Sequence, residues 1–164
     1  MENAVIVFTR KSLAQLLRYG GTGDWVADQK RIKKCRYVIC THHDDWESDD
    51  HSVEPGAAFV IGKVSGVTMV PSPATGGERA VIHFSEYAEV RVPNVWTGNR
   101  NPVAYGVAED LLGISDLSTL EWKPFPHDQV EAPKPAPLTI EQAKAGLAAG
   151  LGIPPACIEI TIRA

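Results

Sequence analysis

Long apolar runs, a secretory signal and cysteine are absent or scarce in this chain of 164 residues. No apolar run approaches the length that crosses a bilayer, and the start MENAVIVFTRKS lacks the pattern of a secretory signal. Cysteine occurs three times, at Cys35, Cys40 and Cys157, each in an apolar context that favours reduced, buried thiols over a disulfide framework. We therefore expect a cytoplasmic protein.

Sequence motifs of common enzymes are also missing. The chain has no Gly-x-Ser-x-Gly elbow, no phosphate-binding Walker loop and no dinucleotide-binding glycine pattern. This favours a binding protein over an enzyme, and no cofactor is predicted.

Charge is distributed unevenly along the sequence. The net charge is -4, but residues 1–43 hold eight basic and three acidic residues. Five of the cations fall within seven residues, at Lys30, Arg31, Lys33, Lys34 and Arg36. Such a cluster can neutralise a phosphate backbone, although a solvated surface is the alternative interpretation.

The order of elements predicts an α+β fold. Ala4–Phe8 is typical of a buried strand, and the capping box of Ser12 and Gln15 begins a helix that Gly20 ends. Further strands are predicted after Arg36, over residues 57–64 with a bulge or a bend at Gly62, and over 79–84 and 87–92. Five to six strands in so short a stretch predict a closed or nearly closed barrel with flanking short helices.

The end of the chain predicts a separate element. Residues 124–137 hold five prolines and are interpreted as a linker after a barrel domain over 1–123. Within 138–164, Thr139 and Gln142 form a second capping box, and the alternation of Ile158, Ile160 and Ile162 predicts a strand. We expect this helix-strand extension to dock on the barrel or on a partner protein.

Two tryptophans are candidates for contact with a nucleobase. Trp25 follows Gly23 and Asp24 in a predicted turn, and its indole can stack on an unpaired base or pack in the core. Trp96 lies in a loop dense in turn formers, where Asn99 and Asn101 have amides that can pair with a base edge. The alternative is that the asparagines serve turn geometry and Trp96 anchors the loop.

A metal site is the weaker interpretation of the histidines. Cys40, His42, His43 and His51 lie near an acidic segment over residues 44–54, but their spacing fits no zinc finger. Adjacent histidines on a strand point to opposite faces. We interpret residues 44–54 as a solvated loop and predict no metal.

The order of strand, capped helix, Gly-Asp-Trp turn, basic segment, strand and Phe59-Val-Ile-Gly-Lys-Val-Ser-Gly-Val67 resembles the PUA-like superfamily, in particular its EVE and YTH domains. The resemblance covers roughly the first two thirds of the chain. It implies a PUA-like barrel that binds a flipped or unpaired base of DNA or RNA, modified as in those domains, between Trp25 and Trp96. The run from Lys30 to Arg36 would then contact phosphates.

Two alternatives remain open. One is a protein-interaction module that uses residues 158–162 for edge pairing. The other is a metal-independent ribonuclease on the same fold, for which Lys11, Arg18, Tyr19 and Tyr105 are the candidates.

Overall fold

The computed structural model describes residues 1–43, 52–72, 74–131 and 138–163. The chain divides into two compact units, Met1–Glu131 and Ala132–Ala164. Most of the predicted acidic loop, including His51, lies outside the described residues.

The first unit is α+β, with one mixed sheet and a few short helices. Its described strands are β1 Ala4–Thr9, β2 Thr22–Trp25, β3 Tyr37–His42, β4 Ala58–Ser72, β5 Gly77–Val92, β6 Val103–Gly106 and β7 Lys123–Pro124. Its α-helices are α1 Leu13–Tyr19, α2 Gln29–Ile32 and α3 Ala108–Leu112.

The sheet has the strand order β2-β5-β4-β3-β1-β6, and β7 pairs with β5. β1 and β3 are parallel over their whole length, from Ala4 opposite Tyr37 to Thr9 opposite His42. β4 and β5 form a long antiparallel hairpin. In the described part of the chain β2 and β6 are the two edges and do not pair, so the predicted closure into a barrel is not seen. Both edge strands have only four residues, and the register of β2 on β5 shifts between Thr22 and Trp25, which leaves little ladder for closure.

The capping box predicted for α1 is confirmed. The Gln15 N–H donates to Ser12 Oγ at 3.3 Å, and the Ser12 N–H donates to Gln15 Oε1 at 2.8 Å. Gly20 ends the helix at φ 89°, in the left-handed region that glycine adopts without strain. Leu16 points from this helix into the core with no exposed surface.

The bulge or bend predicted at Gly62 corresponds to an irregularity in the strand pairing close to this residue. The register between β4 and β5 shifts between Lys63 and Val64, directly after this glycine. A Cβ atom at Gly62 would lie 2.7 Å from Cγ of Phe84, whose ring is buried. Glycine is therefore needed here so that the Phe84 ring can pack against the strand.

The core lies on both faces of β1 and β3. Val5 and Val38 belong to a cluster on one face, whereas Ile6 and Ile39 belong to a cluster on the other. Burial on both faces is the usual situation of parallel strands and explains why these segments are almost wholly apolar.

The first unit extends beyond the boundary predicted at residue 123. Pro124 pairs with Glu86, and the ring of Phe125 is buried edge-on against Phe84 with ring centroids 5.0 Å apart. The Glu131 N–H then donates to the Arg18 carbonyl at 2.8 Å. The proline-rich segment predicted as a linker thus begins inside the folded unit, and its residues 132–137 lie outside the described part.

The second unit contains α4, Ile140–Leu151, with the predicted capping box of Thr139 and Gln142 and with Gly152 as its left-handed end. A single 3-10 turn follows at Pro155–Cys157. The strand predicted from the isoleucines at 158, 160 and 162 is wrong, because residues 158–163 are not assigned to a strand. A strand requires a partner ladder, and the described residues of this unit offer none.

The prediction of buried thiols holds for two of the three cysteines. Cys35 and Cys40 are buried in the first unit, whereas Cys157 is exposed. The apolar neighbours of Cys157 in the sequence therefore do not indicate a core position.

Candidate functional site

A cavity of about 830 Å³ lies at the carboxyl ends of β1 and β3, within the size range of small-molecule sites. Residues after both parallel strands contribute to it, together with β2 and the loop before β6. The residues that line it are Phe8, Thr9, Arg10, Lys11, Gln15, Gly23, Asp24, Trp25, His43, Asn99, Arg100 and Pro102. The cavity is thus bordered by residues of one sheet edge and by residues that adjoin the other.

Phe8 lines the cavity and its ring contacts two other aromatic side chains. Its ring stacks on Trp96 with centroids 5.0 Å apart and planes 5° from parallel. On the same ring His43 packs at 4.6 Å with a tilt of 38°. Phe8 and His43 line the cavity, and Trp96 supports Phe8 from outside the lining.

The two tryptophans predicted to share a pocket therefore have different positions. Trp25 lines the cavity, but only 8% of it is exposed, and its indole N–H donates to Thr22 Oγ1 at 3.1 Å. Only a small part of this residue is therefore accessible to a ligand, and most of its surface is buried in the core. Trp96 is half-buried, and its backbone N–H donates to the Gly56 carbonyl at 2.9 Å, which anchors the loop that carries it.

The asparagines of this loop also differ in whether they line the cavity. Asn99 lines the cavity next to Arg100, whereas Asn101 does not line it. Asn94 adopts a left-handed backbone with φ 57°, a conformation for which asparagine is enriched. Its role in this loop is therefore turn geometry.

Among the described residues that line the cavity, three are cations, Arg10, Lys11 and Arg100, and one is a carboxylate, Asp24. Asp24 Oδ2 lies 3.6 Å from Lys11 Nζ, and Asp24 Oδ1 accepts a hydrogen bond of 3.3 Å from the Tyr19 hydroxyl. The Lys11 ammonium also lies 4.1 Å from the centre of the Tyr19 ring. Burial raises the pKa of Tyr19, and the neighbouring Asp24 carboxylate raises it further, so Tyr19 remains a hydrogen-bond donor at neutral pH.

The backbone at Asp24 is unusual. Its φ is 70°, in the left-handed region that few residues other than glycine, asparagine and aspartate adopt. The preceding Gly23 lies against Tyr19, since a Cβ there would come within 2.5 Å of the ring. Gly23 and Tyr19 together fix where the Asp24 carboxylate stands.

The five cations predicted to contact phosphates are divided among three environments. The Arg31 guanidinium donates to both carboxylate oxygens of Glu2 at 3.0 and 2.9 Å, and it lies 3.8 Å from the centre of the Tyr105 ring. Lys30 is exposed on α2. The other three, with Lys63, line a second cavity of about 380 Å³, which we call the basic groove: Lys33, Lys34, Arg36 and Lys63.

The basic groove and the large cavity lie at opposite ends of β3. Arg36 and Tyr37 border the groove where the strand begins, and His43 borders the cavity just after it ends. Tyr37 and His43 are six residues apart, so at about 3.3 Å per residue the strand separates the groove from the cavity by about 20 Å. Arg10, Lys11 and Arg100 are therefore the cations next to the cavity, and the cluster in the sequence is remote from it.

The histidines and the ribonuclease candidates do not form one centre. His42 is buried with its ring edge-on to Phe59, whereas His43 faces Phe8, so the expected divergence of the two histidines is confirmed. Among the described residues no group of three or more His, Cys, Asp or Glu is placed to hold a metal ion. Lys11 and Tyr19 are neighbours, but Tyr105 lies against Arg31 and is not a lining residue of the cavity.

Comparison with known proteins identifies no relative: no family model, no curated protein and no solved structure matches the chain. In the part of the chain that the structure describes, no helix is long and apolar enough to cross a membrane.

Proposed function

We propose that the first unit is a nucleic-acid-binding module that holds one unpaired or flipped base in the large cavity. The observation that carries this proposal is the composition of the cavity wall. Aromatic groups from Phe8, Trp25 and His43 stand beside the cations Arg10, Lys11 and Arg100. A nucleotide requires this combination, an apolar ring surface for the base and positive charge for the phosphate.

The size and position of the cavity support the same interpretation. A volume of about 830 Å³ suits a group of the size of a nucleotide rather than an ion. The base must leave a duplex to expose its faces, so the natural substrate is single-stranded, or is a duplex from which one nucleotide is extruded. A modified base would be distinguished by contacts along the cavity wall.

The order of elements in the first unit supports a PUA-like relationship for this module. The strand β1, the capped helix α1, the Gly-Asp-Trp segment and the later strand that holds residues 59–67 follow one another in the order on which the resemblance to the EVE and YTH domains rests. In this proposal the open side of the sheet, between β2 and the loop before β6, is where the base enters.

In this proposal Arg100 contacts a phosphate at the cavity. The basic groove binds other phosphates of the same strand when the nucleic acid is long enough to reach it. Lys33 and Lys34 in the groove can engage phosphates several nucleotides away from the bound base. Arg31 is excluded from this role because its guanidinium already pairs with Glu2 and covers the Tyr105 ring.

The test is a titration of tryptophan fluorescence with single-stranded DNA and RNA at low salt. We expect quenching by oligonucleotides, and we expect Arg100→Ala to weaken their binding because it removes a cation from the cavity wall. The matched control is Arg79→Ala on the β4–β5 hairpin, where Arg79 lines neither cavity and bonds Thr75. No binding at low salt, or equal affinities for both variants and the unaltered protein, would overturn the proposal.

A further inference from the structure

A carboxylate in the wall of a cavity lined by cations requires an explanation. The side chain of Asp24 is 60% exposed, and its position is fixed by Tyr19, Lys11 and the backbone at Gly23. A carboxylate repels a phosphate, so its presence disfavours any pose that brings the backbone of a nucleic acid against this part of the wall. The part of the ligand that meets Asp24 must carry hydrogen-bond donors.

Each of the two carboxylate oxygens of Asp24 can accept a further hydrogen bond from a ligand. Each carboxylate oxygen can accept about two hydrogen bonds. Oδ1 accepts one from the Tyr19 hydroxyl and Oδ2 contacts the Lys11 ammonium, which leaves each oxygen with room for one further donor. The group is therefore suited to a ligand with two adjacent, parallel N–H donors.

We propose that Asp24 is a specificity-determining residue that makes the cavity select guanine. This inference rests on the proposed function. Guanine presents N1–H and an N2 amino group side by side on its Watson–Crick edge, and an unpaired guanine can donate both to one carboxylate. Arg100, which a different segment of the chain contributes to the lining, then binds a phosphate of the same ligand.

The other bases place an acceptor where Asp24 needs a donor. Adenine and cytosine each offer one amino group beside an unprotonated ring nitrogen, which a carboxylate repels. Uracil and thymine offer one ring N–H between two carbonyl oxygens. The chemistry at Asp24 therefore favours guanine over all four, and hypoxanthine, which keeps N1–H but lacks the N2 amino group, should be intermediate.

The experiment measures the binding of octanucleotides to the full chain by titration of tryptophan fluorescence. Each octanucleotide has one variable base among seven thymidines. We expect the guanine oligonucleotide to bind about tenfold or more tightly than the adenine and cytosine ones, with hypoxanthine between them. Asp24→Asn should remove the preference for guanine, because its amide replaces one acceptor with a donor. Asparagine tolerates the left-handed backbone at position 24, so the fold should be kept, which circular dichroism can check.

Two further variants separate base reading from a structural role. Tyr19→Phe keeps the ring against Gly23 and removes the hydroxyl that orients Asp24, so it should reduce the preference without abolishing binding. Glu78→Gln on the exposed hairpin is the matched carboxylate control and should change nothing. Binding without preference for guanine, or a preference that persists in Asp24→Asn, would overturn this inference alone. Failure of every oligonucleotide to bind would overturn the proposed function as well.

Discussion

The separation of about 20 Å between the large cavity and the basic groove leads to a prediction that depends on the length of the ligand. At 3.4 Å per stacked nucleotide, a trinucleotide spans about 10 Å and a dodecamer about 40 Å. A trinucleotide held in the cavity cannot reach Lys33 and Lys34, and at 0.1 M salt their charges are screened over about 10 Å. A dodecamer can reach both.

The perturbation is the double substitution Lys33→Ala and Lys34→Ala. Each lost phosphate contact on a single strand lowers the slope of log affinity against log salt by about 0.7. For the dodecamer the slope should therefore fall by about 1.4. Raising salt from 50 to 200 mM should then weaken the unaltered protein about sevenfold more than the variant. For the trinucleotide the slope should not change.

The assay is fluorescence titration of both ligands at four or five salt concentrations. Arg100→Ala is the matched comparison, since loss of a cation in the cavity wall should lower the slope for both lengths. An equal decrease for the trinucleotide, or an unchanged slope for the dodecamer, would refute the placement of the groove along the path of a bound strand.

Two more predictions follow from the fold. Burial raises the pKa of Cys40 to about 12, above its value of about 8.5 in an unfolded chain, so its contribution to stability is complete below pH 8.5 and is lost as the pH rises toward 12. The melting temperature should fall between pH 9 and 11, less steeply in Cys40→Ala, and equal slopes in the two proteins would contradict this. A chain ending at Glu131 should fold cooperatively and keep its affinity for oligonucleotides, because the first unit closes with the Glu131–Arg18 hydrogen bond, whereas a chain ending at residue 123 should unfold because it loses Phe125. Thermal denaturation of both truncations tests this, and equal stability would show that Phe125 does not complete the core.

Local signals in the sequence predicted much of the fold. The capping boxes at Ser12 and Thr139 and the bulge or bend at Gly62 depend on residues close in the chain; both capping boxes are found, and the strand pairing is irregular close to Gly62. The strand over residues 158–162 failed because alternation shows which face could be buried but does not supply a partner strand. Closure of the barrel failed for a related reason, since pairing of β2 with β6 depends on register over long separations.

The candidate site was predictable only in part. Trp25 and Asn99 are chosen from residue type, and both line the cavity. The predicted phosphate-binding cations from Lys30 to Arg36 do not line it, and Arg10 and Arg100, which do, were not predicted. Phe8 was missed because it reads as the last apolar residue of a buried strand, and only the parallel pairing of β1 with β3 brings its ring next to His43. Trp96 was placed correctly in a loop, but its stacking on Phe8 depends on packing that no local pattern shows.

The unpaired edges of β2 and β6 have a consequence for how this protein can be engineered. The cavity is lined by residues of β2 and by residues of the loop that leads into β6. Substitutions that draw the two edges together would add backbone pairing and raise the melting temperature, but they would also fill the space for a ligand. A screen for thermostability alone should therefore enrich variants near residues 22–25 and 99–106 that have lost binding, whereas stabilising changes at Cys157 or on the β4–β5 hairpin should leave it intact.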